Sequence, residues 1–172
     1  APAVLVFTTP PQSLAAGACS AGATVQSQDG LGNPALVLTD TAVDLTATPP
    51  AGFTFFADAG CTTPVTATTI VAGSSTASFY FAGTTPGGVT IDAAATGFTT
   101  VTQLETITVG APAVLVFATP PQTLVAGACS AVATVQSQDS AGNPSPVSAA
   151  TTVTLTAAPP AGFTFYTDAA CS

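Results

Sequence analysis

The chain has 172 residues, 47% of them hydrophobic, and a formal charge of −8 from seven Asp and Glu105, with no Lys, Arg or His. Without cationic side chains it has no side-chain salt bridges, no phosphate clamp, no imidazole for zinc or copper, and no ordinary base beside a Ser, Thr or Cys nucleophile. Burial, backbone hydrogen bonds and covalent links must therefore carry the fold, and a uniformly acidic surface repels nucleic acid and anionic membrane.

The first 110 residues alternate short β-branched or aromatic runs with Gly, Pro and Asn turns, the pattern of an all-β sandwich. Strands are expected at Val4–Thr8, Ala21–Gln28, Ala42–Ala47, Phe53–Ala57, Val65–Val71, Thr76–Ala82, Gly88–Thr96 and Thr99–Val109. A period of two sends Val43 and Leu45 inward with Asp44 and Thr46 outward. It sends Ala77, Phe79 and Phe81 inward with Ser78 and Tyr80 outward, and Val89, Ile91, Ala93 and Ala95 inward with Asp92 outward. In the last run Leu104 and Ile107 are three apart, which predicts a bulge near Glu105–Thr106. No segment carries a capped helical stripe. No run approaches the ~20 apolar residues of a membrane helix, so no membrane insertion is expected.

Residues 1–62 then recur as residues 111–172 without insertion or deletion, 44 of the 62 positions being identical. A period of 110 residues is a whole domain, not a solenoid turn. The expected organisation is a complete domain over residues 1–110 and the N-terminal part of a second over 111–172, joined at Val109-Gly110-Ala111-Pro112. So short a joint implies a fairly stiff rod. The second copy has no counterpart of residues 63–110, four expected strands. The expectation is a slice of a longer repeat array. The alternative is a filament subunit whose open edge adds to a neighbouring copy by strand pairing. Starting at Ala1 without Met, the chain is expected to be a processed product or part of a longer one.

The cysteines are Cys19, Cys61, Cys129 and Cys171, and four thiols allow three pairings. Duplication favours Cys19–Cys61 with Cys129–Cys171, since each copy then closes the same loop; the alternative is free buried thiols. Disulfides imply an oxidising, secreted or cell-surface setting. The spacing is not that of a metal or redox CxxC site. The absence of Lys excludes Lys–Asn crosslinks and leaves trypsin nothing to cut.

The stretch Ala23-Thr24-Val25-Gln26-Ser27-Gln28-Asp29-Gly30-Leu31-Gly32-Asn33-Pro34, followed by Val43-Asp44-Leu45-Thr46, resembles bacterial immunoglobulin-like domains of the invasin and intimin type. It recurs as Asp139-Ser140-Ala141-Gly142-Asn143-Pro144 and Val153-Thr154-Leu155-Thr156. Val71-Ala72-Gly73-Ser74-Ser75-Thr76-Ala77-Ser78-Phe79 and Ile107-Thr108-Val109 are also similar to that family. The turn chemistry fits: Asp bonds backbone amides, Gly takes positive φ, Asn tolerates it, and Pro starts the next extended segment. The cysteine pair departs from the usual pattern and resembles a variant in large secreted repeat proteins. The resemblance implies tandem immunoglobulin-like β-sandwich domains joined by a short linker, serving as spacers, stalks or adhesin arms.

Candidate sites are few. Asp29 and Asp139 are calcium candidates, with turn capping the competing role. Tyr80, Phe56 and its counterpart Tyr166 are candidate exposed aromatics for sugar or partner binding, against packing at the rim beside the disulfide. Thr and Ser are candidate O-glycan acceptors, though Thr also suits strands. Neither Asn33 nor Asn143 is an N-glycan site, because Pro follows each. The copies differ most at residues 35–40 against 145–150. Paired carboxylates, as in glycoside hydrolysis, are the one catalytic option left, and the chain has no Trp to line a sugar cleft. No enzyme, cofactor or metal is expected. The expected role is structural: an extracellular, bacterial cell-surface stalk, fibre or filament contacting further copies of itself. The alternative is an adhesin, calcium-stiffened or carbohydrate-binding.

Overall fold

A computed structural model describes all 172 residues. They divide into two compact units, Ala1–Gly110 and Ala111–Ser172. Neither contains a helix.

In the first unit the strands are β1 (Val4–Phe7), β2 (Ser13–Ala15), β3 (Ala23–Gln28), β4 (Thr41–Thr48) and β5 (Phe53–Phe56), then β6 (Pro64–Val65), β7 (Ala67–Ile70), β8 (Thr76–Gly83), β9 (Gly87–Ala94) and β10 (Val101–Thr108). They form two five-stranded sheets, β1-β3-β8-β5-β6 and β2-β10-β9-β4-β7. All named pairings are antiparallel except that of β2 with β10. This is an all-β, immunoglobulin-like sandwich. Its N-terminal segment is shared between sheets, β1 pairing in one and β2 in the other.

The inner faces follow the period of two. Val43 and Leu45 are buried while Asp44 and Thr46 are exposed, and Ala77, Phe79 and Phe81 are buried beneath an exposed Ser78. Val89, Ile91 and Ala93 complete the inner face of β9. Aromatic rings pack side by side along the inner face of one sheet, β1-β3-β8-β5-β6. Phe79 meets Phe7 and Phe55 edge-on at 6.3 and 5.8 Å, and Phe53 stacks on Phe81 at 5.2 Å. Offset and edge-on geometries of this kind suit the ring quadrupole.

Three expectations need correction. First, β10 has no bulge: Val101 to Ile107 pair in unbroken register with Ala93 to Gly87. Leu104 points outward, and Gln103, Glu105 and Ile107 form the buried face. The apolar spacing misled because two inward positions are polar. The Gln103 side-chain amide donates to Glu105 Oε1 at 2.7 Å, and the Gln12 main-chain N–H donates to Glu105 Oε2. Paired in this way, polar groups sit inside without the cost of lost hydration.

Second, the single run Val65–Val71 is two strands broken at Thr66. β6 pairs with β5 in one sheet and β7 with β4 in the other, so the chain changes sheets there. Third, β2 was not foreseen. Its three residues pair parallel with Thr106–Thr108, too short a stretch to show a pattern.

In the second unit β11 (Val114–Phe117) pairs with β12 (Val135–Gln138) in the register of β1 and β3. No other strand forms there.

Candidate functional site

The features that distinguish each unit are its disulfide and its acidic turns. Cys19 is joined to Cys61 and Cys129 to Cys171, each pair 42 residues apart with Cα atoms 5.8 and 5.9 Å apart. No cysteine is free. Cys19 lies beside β8, bridging to Ala82, and the next residue, Ser20, accepts the Phe81 N–H on its hydroxyl at 2.8 Å. Cys61 lies in the β5–β6 connection. The disulfide thus clips two loops to either side of the strand that carries Phe79 and Phe81.

Asp58 shapes the Cys61 loop. Its carboxylate accepts the N–H groups of Gly60, Thr62 and Thr63 and the Thr62 hydroxyl, while its carbonyl accepts the Cys61 N–H. Cys61 is thereby held at φ +51°, in the left-handed region that non-glycine residues seldom occupy. Partial desolvation raises the Asp58 pKa, but the Thr63 and Thr62 amides and hydroxyls outweigh it and take the carboxyl down to about 2. In the second copy Asp168 accepts the Ala170 and Ser172 amides, and Cys171 has φ +53°.

The calcium candidates are turn caps. Asp29 Oδ1 accepts the Leu31 and Asn33 N–H groups at 2.9 Å each, and the Asn33 side-chain amide reaches both carboxylate oxygens. The Asn33 backbone, the Asn33 side chain and the Leu31 backbone hold the Asp29 carboxyl below its ordinary range. Gly32 takes φ +83°, which the four-residue turn requires. Asp139 is bonded in the same way to Ala141 and Asn143. No three His, Cys, Asp or Glu side chains come together as a metal cluster.

Phe56 and Tyr80 are cross-strand partners on β5 and β8, both half-buried on the outer face. The Tyr80 ring lies over Gly22, leaving 3.6 Å to where a Cβ would stand. Tyr166, the counterpart of Phe56, is exposed. A shallow cleft between the ends of β4 and β5 is lined by Leu45, Pro50, Phe53, Phe55, Val65 and Thr residues, and it contains no carboxylate. The variable segment 35–40 is an exposed loop apart from Val37 and a half-buried Ala35. It is tied to the neighbouring turn by Val37 N–H to Ser74 O and by Ala72 N–H to Asp40 Oδ1.

No protein family matches the chain. No curated protein matches it either. Solved structures share its kind of fold at a distance. Domains 4 and 5 of the S-layer protein SbsC align over 64% of this chain and 53% of theirs, at 18% identity and a TM-score of 0.45. Domains 5–6 of SbsC align over 85% of this chain and 66% of theirs, at 17% identity and a TM-score of 0.46. A glycosyl hydrolase family 2 member from Bacteroides cellulosilyticus aligns over 63% of this chain and 14% of its own, at 12% identity and a TM-score of 0.48. The chain thus spans about half or much less of most of these relatives. Likenesses this remote say nothing about activity.

Proposed function

We propose that the chain is a structural, extracellular repeat protein of a bacterial surface, in which tandem immunoglobulin-like units of the invasin and intimin type build a stalk, fibre or filament. The observation that carries this reading is the duplication itself. The first 62 residues of a 110-residue unit recur at an offset of 110, with the disulfide at the same 42-residue separation and the Asp-x-x-Gly-Asn-Pro turn intact. Repetition of a braced, rigid unit adds length, and oxidised cysteines suit a secreted setting.

The chemistry agrees. The acidic side chains described above cap turns and strap strands, and the chain has no His, Lys or Arg to act as base or clamp. Its partners are further copies of the same unit, with surface Thr and Ser as O-glycan acceptors.

Electron microscopy of the native material tests this. Extended fibres or rods with a domain-sized axial repeat are expected. Compact particles, or free thiols at Cys19 and Cys61 in the native protein, would overturn it. A melting temperature raised by calcium would instead favour the calcium-stiffened adhesin.

A further inference from the structure

Residues 1–62 contain six leucines. Leu5 and Leu45 are buried and Leu14 is half-buried, and all three recur in the second unit, as Leu115, Leu155 and Leu124. Leu31, Leu36 and Leu38 are exposed, and none of them recurs: their counterparts are Ala141, Pro146 and Ser148. The turn before them forms alike in both units, so the exposed leucines are not there to make it. Leu36 and Leu38, 59% and 91% exposed, stand outward on either side of Val37, which is buried and kept as Val147. The Val37 N–H donates to the Ser74 carbonyl and the Val37 carbonyl accepts the Gly73 N–H, at 2.9 and 2.8 Å. Two apolar side chains on a segment pinned in this way make a knob, unlike exposed residues scattered singly.

The same unit offers a place for such a knob. The cleft between β4 and β5 holds about 310 Å³, is lined by Leu45, Ala47, Pro50, Phe53, Phe55 and Val65, and has Thr66 exposed at its rim. Leu36 and Leu38 precede β4, whereas the cleft lies along the far half of that strand. About 20 Å of extended chain separates Thr41 from Ala47, so a unit does not fill its own cleft. In a chain of charge −8 with no cationic side chain, contact between molecules must avoid setting carboxylate against carboxylate. Asp40 stands beside the knob, and the cleft has no carboxylate to oppose it.

We infer, resting on the fibre reading above, that Leu36 and Leu38 of one molecule seat in the β4–β5 cleft of a second copy of the chain. Knob and cleft are different surfaces of one unit. The contact is therefore heterologous and leaves a free knob at one end and a free cleft at the other, so molecules add in a row. The knob belongs to the first unit alone, because the second carries Pro146 and Ser148 in its place. A contact this small is weak singly and gains strength by repetition.

Sedimentation of the full chain at concentrations rising to ~1 mM tests this. Reversible, concentration-dependent association is expected. Leu36→Pro with Leu38→Ser, the residues of the second unit, should weaken it at least ~10-fold. Thr66→Asp, at an exposed position on the rim, should do the same. Unchanged urea midpoints would show that both variants fold. Mixed together, Leu38→Lys chains and Thr66→Asp chains should associate more tightly than either alone, as an ammonium then meets a carboxylate. A native chain that stays monomeric throughout would overturn the contact. So would association untouched by the leucine changes, or a Thr66→Asp chain that associates as the native one does. Fibres that persist in the leucine variant would also overturn it while leaving the fibre reading in place. Closed rings held by these same residues would support the contact and overturn the fibre reading.

Discussion

Glu105, fully buried on β10, accepts the main-chain N–H of Gln12 on one carboxylate oxygen and the Gln103 side-chain amide on the other. Gln12 immediately precedes β2, so this carboxylate straps the N-terminal segment to the sheet it joins in parallel. Removing it leaves two donors without partners inside the protein. Glu105→Ala is expected to destabilise the first unit by about 3 kcal/mol, read as a shift in urea midpoint at unchanged slope. Glu105→Gln keeps an acceptor for Gln12, and a flipped Gln103 can meet its new amide. It should cost about 1 kcal/mol. A negligible loss in Glu105→Ala would show that the strap adds nothing.

That residue also marks where sequence reading stopped. Val43, Leu45, Phe79 and Phe81 announced their faces because apolar residues alternated with polar ones. On β10 the inward residues are Gln103, Glu105 and Ile107, and the outward Leu104 mimicked a core position. Beside the Gln103 amide two residues away, the inward Glu needs the Gln12 N–H, 93 residues away, for its second oxygen. No local pattern carries that information. The break at Thr66 was hidden for a related reason: the run from Val65 to Ile70 is β-branched or small throughout, and only the different partners of β6 and β7 separate them. The Asp29 turn, by contrast, was legible because all its bonds lie within four residues.

The Cys19–Cys61 bond closes a long loop that includes β3, β4 and β5. In the chain-entropy picture a loop of this size contributes about 4 kcal/mol by restricting the unfolded chain. The double variant Cys19→Ala, Cys61→Ala should lose about that much, measured by urea unfolding with hydrogen exchange at β8 as the reporter. The exchange rates should rise at Phe81 and Ala82, the residues beside the clip. A loss below about 1 kcal/mol would mean that the unfolded chain is already compact around these loops.

Asp58 should make the first unit sensitive to acid. Its folded carboxyl titrates at about 2 against an ordinary 3.8. The fold therefore favours the charged form, and that stabilisation is complete above the ordinary value. It is lost as pH falls through the window from 3.8 to about 2. The lowered Asp29 carboxyl acts in the same sense. Carboxyl carbon shifts should place the Asp58 midpoint near the lower end of that window. Asp58→Asn, which cannot accept the Thr63 N–H on a second oxygen, should flatten the pH dependence of stability there. An Asp58 midpoint at the ordinary value would mean that the loop opens in solution.

Gly83 closes β8 opposite Ile107 of the other sheet. A Cβ there would stand 2.6 Å from Ile107 Cγ1, 2.8 Å from Ile107 Cδ1 and 3.3 Å from Phe53 Cδ2. All three belong to side chains packed between the sheets, and Ile107 is almost wholly buried. Gly83→Ala should therefore destabilise by about 2 kcal/mol through overpacking, despite the better strand propensity of Ala. Ile107→Val alone should cost about 1 kcal/mol for the lost methyl. Combined, the two should fall short of additivity by about 0.5–1 kcal/mol, because trimming Cδ1 relieves part of the overlap. A double-variant cycle in urea measures that coupling. Strict additivity would mean that Gly83 is accommodated by backbone movement, with Ile107 left where it is.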